Sequence, residues 1–195
     1  RLHTLNGKVR GEMENYHPTN ATRAIADFVD DLSNWYVRRS RDRFWGTEKI
    51  EDKQAAYATL HQVLITVAKL LAPFTPFLAE SIYRNLVCSL DANAPESVHL
   101  LDYPASDTEM IDAQLESDMA LARDLIVLGR AARNRSGIKT RQPLGTITLG
   151  GLSDTQQGAV DRLSDLVLDE LNVKAIEFGD EIDDFAPVIV KPNFK

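Results

Sequence analysis

The sequence predicts a mainly α fold, with a helical bundle over residues 1–105 and, over 106–195, a long helix leading into a small α+β domain. Three observations carry this. Through the first two-thirds of the chain, apolar residues recur at i, i+3, i+4 and i+7. Of the ten glycines, only Gly7, Gly11 and Gly46 precede residue 129, so few breakers interrupt those early segments. Beyond about residue 143 the apolar period falls toward two, the spacing of strands. An apolar content of 44% over 195 residues is ample for a core.

Residues 1 to about 17 read as the end of a helix closed by Tyr16-His17-Pro18, because the residue before a proline is pushed out of the α region. A second helix is expected from about Asn20 to Arg43. Its residues Ile25, Phe28, Val29, Leu32, Trp35 and Tyr36 lie within about 60° of one line at 100° per residue and form a core face. A third helix spans about Glu51 to Ala72, with apolar residues around so much of its circumference that it should sit deep in the bundle; Pro73 ends it. Thr75-Pro76 supplies an N-cap and a proline for a fourth helix to about Cys88, lined by Leu78, Ile82 and Leu86. After a connection over 91–108, a fifth helix runs from Glu109 to Ser136 and stops at Gly137. Leu144–Leu149, Val173–Phe178 and Pro187–Val190 look like strands, with a helix over Asp154–Leu171.

The net charge of −7 argues at first against a polyanionic partner. Its distribution reverses that argument. Arg38-Arg39-Ser40-Arg41-Asp42-Arg43 carries +3, and Arg130 to Arg141 carries +5 through Arg130, Arg133, Arg135, Lys139 and Arg141, so the rest of the chain sums to −15. An acidic body with two basic segments holds a polyanion at chosen places and repels it elsewhere. Asp27, Asp30 and Asp31 ahead of Arg38 and Arg41 also complement a helix dipole. That leaves Arg39 and Arg43, which project about 20° either side of the Leu32 line on a continuous helix. Their partner is either an acidic group inside the bundle or an external phosphate, and a guanidinium fork suits both. Trp35, Tyr36, Phe44 and Trp45 bracket the run, and bases stack on such rings while arginines take phosphates. Aromatics at helical spacing beside Leu32 also suit a core. Helix-end chemistry accounts for Arg133 and Arg135, whereas Lys139 and Arg141 lie past Gly137, out of the dipole's reach.

Chemistry of other kinds finds little support. His3, His17, His61 and His99 are scattered without metal-ligand spacing, and no nucleophile–histidine grouping or phosphate-binding glycine loop is present. The acidic run Asp180–Asp184 lacks the spaced ligands of a calcium loop and reads as a solvated loop. Neither a catalytic residue, a cofactor nor a metal is expected within this chain. One cysteine, Cys88, fits a reducing compartment, and no signal peptide or membrane span is evident, so cytoplasm is expected.

The run Asp27-Phe28-Val29-Asp30-Asp31-Leu32-Ser33-Asn34-Trp35-Tyr36-Val37-Arg38-Arg39-Ser40-Arg41-Asp42-Arg43-Phe44-Trp45 closely resembles the anticodon-binding helical domain of the isoleucyl-tRNA synthetases. The resemblance extends over Leu71-Ala72-Pro73-Phe74-Thr75-Pro76-Phe77, over Gly129-Arg130 through Gly137-Ile138-Lys139-Thr140-Arg141-Gln142-Pro143-Leu144, and over Glu170-Leu171-Asn172-Val173-Lys174 and Lys191-Pro192-Asn193-Phe194-Lys195. Valyl and leucyl enzymes share the bundle, but the segments after 129 look like the isoleucyl type. The resemblance implies a class I synthetase, whose catalytic domain uses ATP and Mg²⁺ and, with an editing domain, precedes this region. Its implied partners are the anticodon stem-loop of tRNA(Ile) and those domains of the same polypeptide, in a monomer without membrane contact. Neither His-Ile-Gly-His nor Lys-Met-Ser-Lys-Ser occurs here, so an excised, non-catalytic segment is expected. On this reading Arg38, Arg39, Arg41 and Arg43 hold phosphates, Trp35 or Trp45 stacks on a base, and Lys139 and Arg141 extend the surface. The alternative is a helical scaffold that touches only protein, which requires a sizeable exposed apolar patch.

Overall fold

In the computed structural model, which describes residues 1–46 and 50–179, the chain divides into two compact units, Arg1–Ile111 and Asp112–Lys195. The strand expected at 187–190, the acidic run 180–184 and the motif 191–195 lie outside the described residues.

The first unit opens with α1 (Leu2–Glu14); Tyr16 then takes a left-handed φ of 58°, and Pro18 begins α2 (Pro18–Asp31). A proline at the first helical position gives up an N–H that no helix would have used. The helix does not continue in α geometry to Arg43. Over Leu32–Val37 it becomes a π turn, and the chain bends at buried Ser40 before a short α3 (Arg41–Trp45). A π turn closes i→i+5 hydrogen bonds and accommodates one extra residue, rotating the residues downstream by about 100° from their α-helical positions. The projection that put Arg39 and Arg43 on the Leu32 line therefore fails beyond Leu32.

The first core joins Leu5 and Val9 of α1, Ala21, Ala24, Ile25 and Phe28 of α2, and Val67 and Leu70 of α4 (Ile50–Leu71). Burial along α4 is uneven: Ala56 near its start and Thr66, Val67, Ala68 and Leu70 toward its end are buried, whereas Ile50 and Tyr57 are exposed. Next comes α5 (Pro76–Tyr83). Its proline is at the first position as expected, but the Thr75 side chain makes no capping hydrogen bond. Its core line is Ala79 and Tyr83 rather than the longer apolar residues one position earlier, and Leu78 is exposed. Tyr83 can be buried because its hydroxyl donates to Pro95 O at 2.9 Å, which satisfies the polar tip. A second π turn, Arg84–Cys88, comes after it.

The connection is pinned by Glu80, whose carboxylate accepts from Ser97 Oγ at 2.8 Å and Val98 N at 3.0 Å. Residues 105–107 return to α1: Asn6 Nδ2 donates to Ala105 O, Ser106 Oγ to His3 O, and Asp107 N to His3 Nδ1.

In the second unit, Asp112 caps α6 (Ala113–Arg135) by accepting from Leu115 N at 2.9 Å. The helix ends in a Schellman arrangement, with Ile138 N donating to Arg133 O, Gly137 N to Asn134 O, and Gly137 at φ 69°. Strand β1 (Leu144–Gly150) pairs in parallel with β2 (Val173–Gly179), aligning Leu144 with Val173 and Ile147 with Ile176. Parallel neighbours need a crossover. Here it is two helices, α7 (Asp154–Arg162) and α8 (Ser164–Leu171), where the sequence suggests one. Ser153 and Gln156 form a capping box on α7, and left-handed Asn172 (φ 50°) ends α8 and opens β2. Leu125, Leu149 and Val160 make the core, with Leu121, Ile147, Leu152 and Ile176 around it.

A Cβ at Gly129 would come within 2.7 Å of Leu171 Cδ1, and Leu171 is fully buried. Gly129→Ala sets a helix-propensity gain of about 1 kcal/mol against an overpacking cost of about 1–3 kcal/mol. Net destabilisation of the second unit is expected, read as a lower denaturant midpoint. Asp118 is also buried, and accepts from Arg162 Nε at 2.8 Å, Arg162 Nη2 at 3.1 Å and Gln114 Nε2 at 2.7 Å. The hydrogen bonds from Arg162 lead in holding its carboxyl below the usual aspartate range. A lowered folded pKa contributes stability that is complete above the unfolded pKa and is lost as pH falls through the folded one. Thermal unfolding between about pH 5 and pH 2 should therefore show a steeper loss for the unsubstituted protein than for Asp118→Asn.

Candidate nucleic-acid interface

The basic and aromatic segment 35–45 straddles the end of the π turn and α3, and its side chains separate into two groups. Phe44 turns inward and is buried, packed at 5.2 Å between ring centroids against Tyr57 of α4. Tyr57 donates its hydroxyl to Phe44 O, and Tyr36 donates to Ala56 O. Arg43 joins the same junction. Its Nε and Nη2 bind Asp52 Oδ2 and Oδ1 at 2.9 and 2.8 Å, a bidentate fork from α3 to the first turn of α4. Of the two partners the sequence leaves open for Arg43, the structure supplies the acidic one. The Asp52 hydrogen bond leads in raising the Arg43 pKa above its ordinary value.

The outward group is cationic and aromatic. Trp35 is half-buried, and the guanidinium carbons of Arg38 and Arg39 each lie 5.7 Å from its ring centroid, within cation–π range. Arg38 is exposed and donates through Nε to Asn34 O at 2.9 Å; Arg39 is half-buried. Arg41, at the start of α3, is exposed. Trp45 is 70% exposed and stands edge-on to Phe44, with centroids 6.1 Å apart at 89°. Trp45 thus offers an open ring, whereas that of Trp35 is flanked by two guanidiniums.

In the second unit, the cationic stretch also divides. Arg130 pairs with buried Glu170. Arg133 is only 5% exposed and donates to the carbonyls of Lys139, Gln142 and Asn172 at 3.0–3.2 Å. This goes beyond the helix-end role expected of it, since the accepting carbonyls lie past the helix or in another element. Arg135, Lys139 and Arg141 are exposed. Sequence reasoning missed the engagement of Arg130 because Glu170 stands 40 positions away, and that of Arg133 because backbone carbonyls as acceptors leave no mark in side-chain identity. Among the described residues no group of three His, Cys, Asp or Glu is placed to hold a metal, and no helix is long and apolar enough to cross a membrane.

A helical unit whose outer face combines arginines with an open indole, joined in sequence to a unit with its own basic turn, describes a polyanion-recognition module. Residues 1–148 match the family described as the anticodon-binding domain of tRNA ligase, and the chain belongs to that family. It is similar to isoleucine–tRNA ligases: 46% identical over 193 residues to that of Clostridium novyi (strain NT), covering 99% of this chain and 18% of the relative. Identity is 50% over 164 residues to that of Dehalococcoides mccartyi, covering 84% of this chain and 16% of the relative. It is 44% over 197 residues to isoleucine–tRNA ligase 2 of Bacillus cereus, covering all of this chain and 18% of the relative. The chain therefore spans less than a fifth of the length of these curated relatives.

The Arg43–Asp52 fork is partly exposed on both sides, a setting in which ion pairs contribute less than about 1 kcal/mol. Arg43→Gln and Asp52→Asn should each lower unfolding stability by no more than that. The double variant should be no worse than either single, because one interaction is lost in all three.

Proposed function

We propose that this chain recognises the anticodon stem-loop of tRNA(Ile) as part of a cytoplasmic, monomeric isoleucine–tRNA ligase. Catalysis, with its ATP and Mg²⁺, belongs to other domains of that polypeptide. The observation that carries the reading is the outward surface of Trp35, Arg38, Arg39, Arg41 and Trp45, which lies inside the stretch that matches the anticodon-binding family. Arg38, Arg39 and Arg41 hold backbone phosphates, and Trp45 stacks on an unpaired base. Trp35 is assigned to orienting Arg38 and Arg39 rather than to stacking, and Arg43 to Asp52. Lys139 and Arg141 take the same phosphate-binding role in the second unit. The absence of both class I signatures from the sequence supports a recognition role without catalysis.

Exposed Phe77 and Leu78 at the start of α5 favour a second activity for the first unit, contact with other domains of the same polypeptide. This is compatible with RNA binding on the 35–45 face.

The test is titration of the chain with an unmodified tRNA(Ile) transcript over a range of salt. Binding should weaken linearly on logarithmic axes, with Arg41→Ala flattening the slope by roughly 0.7–0.9. Trp45→Ala should cost about 1–3 kcal/mol with little change in slope. A slope that Arg41→Ala leaves intact, together with affinity that Trp45→Ala leaves intact, would remove the 35–45 face from the interface.

A further inference from the structure

The hydrogen bonds of the buried Arg133 guanidinium run to three backbone carbonyls: Nη1 to Lys139 O at 3.2 Å and Gln142 O at 3.0 Å, and Nη2 to Asn172 O at 3.0 Å. Gln142 N donates to Lys139 O at 3.0 Å and closes the turn over residues 139–142. From the other side, Asn172 Nδ2 donates to Thr140 O at 3.0 Å. The carbonyls of Lys139 and Gln142 are thereby drawn onto the buried guanidinium and that of Thr140 onto the Asn172 amide, while the side chains of Lys139 and Arg141 remain exposed. Turned outward, the same carbonyls would present their negative ends to an approaching phosphate. Turned inward, they leave the cationic side chains to set the local potential.

We infer that Arg133 is a positioning residue for RNA binding. From beneath, it holds the 139–142 turn in the shape that presents Lys139 and Arg141 to a phosphate backbone, and it does not itself touch RNA. The inference rests on the tRNA-binding reading above. A loop fixed before the encounter does not have to be ordered during it, so the ordering cost is removed from the binding step. Arginine suits the task because its planar fork reaches several fixed acceptors at once, whereas the ammonium of lysine is a compact point charge on a flexible stem.

The experiment compares dissociation constants and salt slopes for the chain with a tRNA(Ile) transcript in six forms: unsubstituted, Arg133→Lys, Asn172→Gly, Lys139→Ala with Arg141→Ala, and each of the first two substitutions placed in that double background. Arg133→Lys keeps the charge and loses the fork. Asn172→Gly keeps the left-handed backbone at φ 50° and the buried guanidinium, and loses only the bond to Thr140 O. Each should weaken binding by about three- to tenfold with an unchanged slope. That loss should disappear in the Lys139→Ala/Arg141→Ala background, which by itself flattens the slope by roughly 1.4–1.8. If Arg133→Lys does not fold, Arg133→Gln, which keeps a donor and loses the charged fork, takes its place in both backgrounds. A purely structural Arg133 would lower unfolding stability and leave the affinity of the folded protein unchanged, and that result overturns the inference while the tRNA reading stands. Should Lys139→Ala with Arg141→Ala leave binding untouched, the turn is not an RNA contact and the inference falls. Absence of binding by the unsubstituted chain would instead overturn the tRNA reading itself.

Discussion

A helix can aim only one stripe of side chains at a core, and the π turn at Leu32–Val37 is where that obligation ends in the first unit. Upstream of it, Ile25 and Phe28 lock α2 onto α1 and α4. Downstream, the extra residue of the π turn and the bend at Ser40 swing the chain so that Phe44 takes over the inward role against Tyr57. The arginines and Trp45 are thereby released from the packing that a continuous helix would have imposed on them. Their outward setting depends on this irregularity, and π turns of this kind recur at functional sites in helices.

Much of the helical layout was legible in the sequence because the signals are local. Pro18 marks the break after α1, Pro76 marks a first helical position, Gly137 marks the end of α6, and the shift in apolar period after residue 143 marks β1. A change of helical geometry within a continuous run could not be read. The residues over 32–37 carry no breaker, and 3.6-residue periodicity assumes that none of them leaves the α ladder. The Leu78–Ile82–Leu86 line failed for a related reason. Tyr83 competes for burial once Pro95 O satisfies its hydroxyl, and that acceptor is a backbone carbonyl in the connection that follows, which side-chain periodicity does not register. Similarly, Asp52 lies only nine positions from Arg43, but the pairing needs α3 and α4 to fold back on one another.

Charge counting located both basic segments but could not show which of their cations have partners within the protein. Arg43 is engaged by Asp52, Arg130 by Glu170 and Arg133 by backbone carbonyls. Each of these shapes the ground on which its neighbours stand. The formal +3 and +5 thus include cations already engaged within the protein.

The return of residues 105–107 to the first turn of α1 bears on the order in which the first unit assembles. The bonds from Ser106 and Asp107 to His3 span sequence separations of 103 and 104. Contacts of such separation close late, because the intervening chain must already be compact before they reward the loss of freedom. On a ribosome, the α1–α2 hairpin can form early, yet the polar side of α1 at Asn6 keeps exchanging its partners with water until Ala105 has been made. The unit therefore gains its last cooperative contacts only when its far end is available to close the ring.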